Sequence, residues 1–175
     1  MITAQFIFET NRLTVRQYNL QDDDLFYRLS SNEDVMRYIR PIVSKEDSDK
    51  LLEQNVQLYL SRPNTGRWAM FEKATGDFIG SFSILAMDSD SSKLHIGYAL
   101  LPQFWGKGYA SEVLQQGIYF FFYRHPANIL YAITEEPNIA SQKVLLKCGF
   151  ACNNRQKEKE KDLLVYVLHR NAVTL

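Results

Sequence analysis

The stretch Gln103-Phe104-Trp105-Gly106-Lys107-Gly108, continuing into Tyr109 and Ala110, carries the clearest chemical signal in the chain. Two glycines flank a lysine where an apolar run gives way to a long amphipathic pattern. A helix start offers unpaired N–H groups and the positive end of the helix dipole, and phosphate oxygens suit both. A side chain at Gly106 or Gly108 would hold a ligand away from the backbone, which glycine leaves bare. Lys107 adds positive charge. The segment predicts an anion cradle, against the plainer alternative of a corner that only turns the chain. An ATP-type loop needs Ser or Thr after the lysine, and Gly108 stands there. A dinucleotide fingerprint needs a third glycine where Ser111 stands, and an acid some twenty residues on, where Asn128 to Ala132 has none. The remaining reading is a pyrophosphate held by a Q-x-x-G-x-G turn.

A second pair of polar residues stands at another helix start. Asn138 and Ser141 are three apart and so share a face. The plainest role for Asn138 is to cap the helix, with Ser141 filling its first turn. Cys148 and Cys152 are the only cysteines, and the reading is two reduced, packed thiols. No second cysteine pair accompanies them, and His125 and His169 fit no metal-ligand spacing, so no metal is expected.

The elements that must position these groups follow from periodicity. Arg12 to Tyr18 alternates as a first strand. Asp22, Asp23 and Asp24 open a helix with Leu25, Phe26 and Leu29 on one face, and a second helix runs from about Lys45 to Leu60 until Pro63, Asn64 and Gly66 stop it. Two strands flank the turn Ala74-Thr75-Gly76-Asp77, Asp88 to Ser92 reads as a loop, and Lys93 to Leu101 reads as a strand. After Gly108, Ala110, Val113, Leu114, Gly117, Ile118 and Phe121 keep helical spacing until Pro126. Within that helix, Tyr119 to Tyr123 is five aromatic residues in a row, which surround a helix and predict core plus a half-buried end, not a stacking face. A strand from Asn128, a helix from Asn138 closed by Gly149, and two final strands around a charged, solvated turn complete the chain. Strand–helix–strand makes its two strands parallel, whereas the first half is antiparallel. The fold class is α/β (α+β): a mixed, mostly antiparallel sheet with helices on both faces, in one domain over residues 1–175.

Twenty basic and twenty acidic residues cancel, so no global field points to nucleic acid or an anionic membrane. No apolar run is long enough to span a bilayer, and the N-terminus lacks a signal-peptide pattern, which predicts a cytoplasmic protein.

Four stretches in order, ETNRLTVR, DFIGSFSI, IGYALLPQFWGKGYASE and NIASQKVLLKCGF, resemble the GNAT superfamily of acyl-CoA-dependent N-acetyltransferases, most closely its Rim-type ribosomal-protein N-terminal members. The resemblance spans nearly the whole chain and implies acetyl-CoA as acyl donor. It implies a parallel strand pair that splays apart, with the pantetheine arm in the gap bonded to the backbone of Ala99 and Leu100. It places the pyrophosphate on the N–H groups of residues 106 to 110, with Trp105 as a wall of the slot. It makes Asn138 a cofactor ligand and Ser141 the hydroxyl that protonates the leaving thiolate. Many Rim-type sequences have glutamate just before IGY; here that position departs to His95, whose imidazole suits a general base near neutral pH, directly or through water, against the plainer reading of a half-exposed strand histidine with no role. Tyr98, Glu72 and Glu135 are reserve candidates without spacing support.

The implied acceptor is an amine, a protein N-terminus first and a small molecule such as a polyamine or amino sugar second. An α-amine near pKa ~7.8 is already partly neutral at pH 7, whereas a lysine near ~10.4 is neutral in only about one part in 2,500. A non-catalytic acyl-CoA-binding module is the alternative from another class. The expected assembly is a monomer or homodimer.

Overall fold

The computed structural model describes residues 4–158 and 160–173. Its elements are β1 (Phe6–Glu9), β2 (Leu13–Gln17), α1 (Asp23–Ser30), α2 (Glu33–Met36), α3 (Lys45–Ser61), β3 (Gly66–Glu72), β4 (Phe78–Met87), β5 (Asp90–Leu100), α4 (Tyr109–Arg124), β6 (Ile129–Glu135), α5 (Ile139–Lys147), β7 (Ala151–Glu158) and β8 (Lys161–His169). The strands form one eight-stranded sheet in the order β1-β2-β3-β4-β5-β6-β8-β7. Every neighbouring pair is antiparallel except β5 and β6.

The central strands β3 and β4 are largely buried on both faces, whereas β7 is exposed, and the register shows which residues face which helix. Trp68, Phe82 and Tyr98 lie opposite one another across β3, β4 and β5. This row faces α4, because a Cβ at Gly117 would fall inside the Phe82 ring. The amphipathic reading of α4 holds: Val113, Leu114, Ile118 and Phe121 are buried. In the aromatic run Phe120, Phe121 and Phe122 are buried, while Tyr119 and Tyr123 are exposed.

On the opposite face the adjacent rows are Ala69, Ser81 and Ala99, then Arg67, Ser83 and Gly97. The Tyr18 and Ser81 hydroxyls share a hydrogen bond there, and Tyr18 packs edge-on against Phe26 of α1 at 5.2 Å. The α1 helix therefore lies on this side, with α4 on the other.

Three elements depart from the sequence reading. β1 precedes the expected first strand and pairs with it. The helix α2 is too short to show periodicity; Asn32 caps it and accepts from the Val35 amide at 3.1 Å. The segment Asp88 to Ser92 is not a loop throughout: β5 begins at Asp90, and Met87 opposes Asp90 in a tight hairpin. Polar residues fit there because that end of β5 is exposed. The charged turn after β7 is exposed on its described residues, and Lys159 lies outside them.

Candidate active site

Parallel pairing between β5 and β6 consists of one register point, His95 opposite Tyr131. Beyond it β6 pairs only with β8, through Ala132, Ile133, Thr134 and Glu135. The two strands splay, and a cleft of ≈ 80 Å³ opens between them, lined by Gly97, Tyr98, Thr134, Asn138 and Ser141 with Tyr38 and Ile39. Splaying deprives backbone groups of partners, which a ligand with amide groups can replace.

Backbone alternation assigns those groups. The Leu101 amide bonds to the Ile79 carbonyl on β4. In an antiparallel ladder, alternate residues turn both peptide groups to one side. Ala99 therefore turns toward Ser81, whereas Tyr98 and Leu100 turn toward the gap. The Leu100 carbonyl already accepts the Trp105 indole N–H at 2.7 Å. Trp105 is 49% exposed and stands at the open end of the gap, which suits a wall.

The glycine loop has the geometry of an anion cradle. Gly106 and Gly108 both take left-handed backbone, at φ 72° and 83°, which a residue with a Cβ adopts only with strain. Gln103 and residues 105 to 108 are exposed. Gly108 is the N-cap of α4, no side chain caps the helix, and the first bond is the Glu112 amide to the Gly108 carbonyl at 3.1 Å. The amides of Tyr109, Ala110 and Ser111 are thus left at an open helix start. The Tyr109 side chain is buried, with its hydroxyl donating to Glu72 and Arg12 stacked 4.3 Å above its ring.

Sequence reasoning missed the latch behind this loop. Arg12 donates to the Lys107 carbonyl at 3.0 Å and pairs with Glu112 at 2.6 Å. Glu112 also accepts from the Arg12 amide and the Thr10 hydroxyl, at 2.9 and 2.5 Å. No local pattern points across the hundred residues between them. Tyr38 and Ile39 were missed for a different reason: they follow α2 in irregular chain, where spacing carries no signal.

The acid–base candidates separate cleanly. Asn138 does cap α5, accepting from the Ser141 amide at 3.1 Å, and its position in the cleft leaves a ligand role open as well. Tyr98 faces Ser141; burial raises the Tyr98 hydroxyl above its ordinary value, and the Ser141 hydroxyl opposes that shift. His95 is not among the cleft-lining residues. It sits at the closed vertex, on the opposite face of β5 from Tyr98. Burial, then the positive charge of Arg67, lowers His95 to about 4, with Asp88 acting the other way. Glu72 is engaged by Tyr109 and Thr75, and Glu135 by Lys161. Both reserve carboxylates therefore already have structural partners.

Cys148 and Cys152 are unlinked. Burial raises the Cys148 thiol to about 11, so it stays protonated and unreactive at neutral pH. Among the described residues no group of three potential metal ligands occurs, and no helix is long and apolar enough to cross a membrane.

Comparison with known proteins agrees with this geometry. The uncharacterized N-acetyltransferase YoaA of Bacillus subtilis (strain 168) is 30% identical over 146 residues, covering 82% of each chain. The solved structure of RimL, the ribosomal L7/L12 alpha-N-protein acetyltransferase in complex with coenzyme A, shares the fold with TM-score 0.82 at 20% identity, over 97% of this chain and 100% of that one. The spermidine N-acetyltransferase of Vibrio cholerae, solved with CoA and spermine, does so with TM-score 0.76 at 16% identity, over 92% and 97%. The model of the acetyltransferase (GNAT) domain matches residues 12–151. A single-point parallel strand pair, an open helix start after two left-handed glycines and these relatives lead to one conclusion: the chain belongs to the GNAT family of N-acetyltransferases.

Proposed function

We propose that this chain, acting as one domain, transfers the acetyl group of acetyl-CoA to the α-amine at the N-terminus of a protein. The observation that carries acetyl-CoA binding is the splayed β5–β6 pair ending at the uncapped start of α4. Bound there, acetyl-CoA supplies an activated thioester carbonyl. Gly106 to Ala110 hold the pyrophosphate with backbone N–H groups, and Lys107 adds charge. Gln103 borders this turn and Trp105 closes the side of the slot. The peptide groups of Leu100 and Tyr98 face the arm, with Ala99 shaping the strand beside them. Asn138 keeps its capping bond and borders the same slot.

Three demands of aminolysis fall on the chain: a neutral amine, a donor for developing negative charge, and a proton for the leaving thiolate. Tyr98 and Ser141 stand on the donor side of the sheet. Burial keeps Tyr98 protonated, and Ser141 beside it relays or supplies the proton. His95 stands on the opposite side, where the amine arrives, and takes the proton released on attack, directly or through water.

The low basicity of His95 supports the choice of acceptor. At about 4, its imidazole is neutral at pH 7 and too weak a base to strip a lysine ammonium. An α-amine reaches the site already partly neutral and asks little of the base.

Thiol release from acetyl-CoA, measured with a panel of peptide α-amines, lysine side-chain amines and polyamines, tests this reading. Preference for peptide α-amines is the expected result. Tight acetyl-CoA binding with no thiol release on any amine would establish the non-catalytic module instead.

A further inference from the structure

Two arginines near the proposed acceptor side have guanidinium groups with no hydrogen-bond or ion-pair partner among the described residues. Arg67 projects from β3 in the row that runs through Ser83 to Gly97, beside His95. Its backbone is fixed by α3. Its amide donates to the Asn55 carboxamide oxygen at 2.8 Å, and its carbonyl accepts from the Asn55 amide at 3.0 Å and from the Tyr59 hydroxyl. Those bonds occupy the strand edge left free where β2 ends, since the last β2 partner is Gln17 opposite Trp68. The backbone of Arg67 is thus rigidly set, yet among the described residues its guanidinium takes part in no hydrogen bond and no ion pair.

Arg40 follows directly on Tyr38 and Ile39, which line the cleft. It is half-buried, and among the described residues it too has no acceptor. Burial, then the charge of Arg40, holds the Arg67 guanidinium below its ordinary value, so the two charges feel each other. Burial alone lowers Arg40. Among the described residues, Asp88 is the one carboxylate whose charge acts on Arg67, weakly, and the two form no ion pair.

Other arginines with buried surface are fully engaged. Arg16 grips Asp22 with two bonds of 2.7 and 2.8 Å. Arg170 donates to the carbonyls of Phe122, His125 and Ala127. Partly burying a charge without a partner costs stability. Two such charges that act on each other cost more, and a planar guanidinium fork is shaped for a carboxylate.

Resting on the acetyl-transfer reading above, we infer that Arg67 and Arg40 form the anion-binding half of the acceptor site, and that the acceptor is an amine carrying a carboxylate close to its amino group. Gly97, between Arg67 and the cleft, has no side chain to block that carboxylate. A free α-amino acid and a peptide with an acidic residue next to its N-terminus both present this chemistry. A polyamine would bring positive charge against positive charge and is disfavoured.

The test pairs acceptors that differ in that charge, with every rate expressed per neutral amine, because the α-amine of free alanine is more basic than that of alaninamide. Thiol release is measured for alanine against alaninamide, and for peptide amides with Asp or Glu second against Asn or Gln. The carboxylate member of at least one pair is expected to have the higher kcat/KM, by about 10- to 100-fold, the range for a charged hydrogen-bonded pair. The pair that shows it identifies the source. Arg67→Gln and Arg40→Gln should erase the preference through KM. They should leave acetyl-CoA affinity unchanged and the melting temperature unchanged or raised, because neither guanidinium holds the fold together. A lowered melting temperature would mark the arginines as structural and overturn the inference. Equal rates within both pairs, or faster turnover of spermidine, would overturn it too.

Binding of N-acetylalanine to the CoA-loaded protein, against N-acetylalaninamide, gives a readout independent of turnover. Arginine-dependent binding without thiol release from any amine upholds the anion site and rejects acetyl transfer. Release on amines with no charge preference does the reverse.

Discussion

Arg12 and Glu112 join the start of β2 to the first turn of α4 through a 2.6 Å ion pair, and Arg12 reaches on to the Lys107 carbonyl in the glycine loop. The loop proposed to hold the pyrophosphate is therefore tied from behind by a residue 95 positions away. Glu112→Ala removes the acceptor for the Arg12 guanidinium, the Arg12 amide and the Thr10 hydroxyl together. The expected loss is about 1–3 kcal/mol of stability by chemical denaturation. Acetyl-CoA affinity by calorimetry should fall as well, because Lys107 and Gly108 lose their anchor. Unchanged affinity in a destabilised variant would separate the latch from the cradle.

Gly108→Val brings a β-branched side chain to a left-handed position whose Cβ site is 3.5 Å from the Arg12 guanidinium. The Cβ itself meets only an ordinary contact there, so backbone strain and the added γ-methyls carry the effect. Acetyl-CoA binding should weaken by about tenfold or more, against a backbone cost of about 1–2 kcal/mol per residue in this conformation. Gly106→Ala makes a useful companion, since a Cβ there meets nothing and only strain remains. A calorimetric affinity like the wild type's in Gly108→Val would remove the cradle from the binding site.

His95 sets a pH window for stability. In the unfolded chain its imidazole titrates near the ordinary 6.5, and in the folded chain near about 4. Between these values the unfolded state binds the additional proton. Stability is thus fully present above 6.5 and is lost as the pH falls toward 4. The loss reaches about 3 kcal/mol at most, from ~1.36 kcal/mol per pKa unit. Denaturant midpoints at several pH values should fall less steeply in His95→Gln than in the wild type. Parallel curves would place His95 in water. For catalysis, His95→Ala should lower turnover about 10²–10⁴-fold with acetyl-CoA affinity nearly intact, and an unaltered pH–rate profile would exclude it as base.

Tyr98 and Ser141 face each other on the donor side, so they should act as one unit. Tyr98→Phe and Ser141→Ala are each expected to lower kcat about 10- to 100-fold with little change in the acceptor KM. The double variant should fall well short of the product of the two effects. Full multiplicativity in steady-state kinetics would show that they serve separate steps.

The amphipathic spacing of α4 and the turn residues around Ala74 to Asp77 were enough to place the helix and hairpin that carry much of the core. The loop proposed as the cradle stood out in the sequence because its features are local: two glycines, a lysine and a helix start adjoin in the chain. Asn138 was legible as a cap for the same reason. What escaped was made by contacts between distant segments. Arg12 finds Glu112 only once β2 and α4 are packed. Arg67 looks like any alternating strand residue until its lack of a partner is seen in three dimensions. The basicity of His95 depends on burial and on Arg67, neither of which its neighbours in sequence declare. The extension of β5 back to Asp90 was hidden because exposed strand ends tolerate the polar residues that otherwise mark loops.

Because β5 and β6 meet only at His95 and Tyr131, the eight strands are two blades riveted at one point, β1 to β5 on one side and β6, β8 and β7 on the other. A molecule seated in the gap becomes the missing rungs of the ladder. If the acyl carrier docks there as proposed, its amide groups stand in for the rungs that β5 and β6 lack, while the shared core of Leu130, Ala132 and Leu168 with Val113 and Leu114 holds the two blades together without it. On that reading, each turnover would fill and vacate the seam between the two blades.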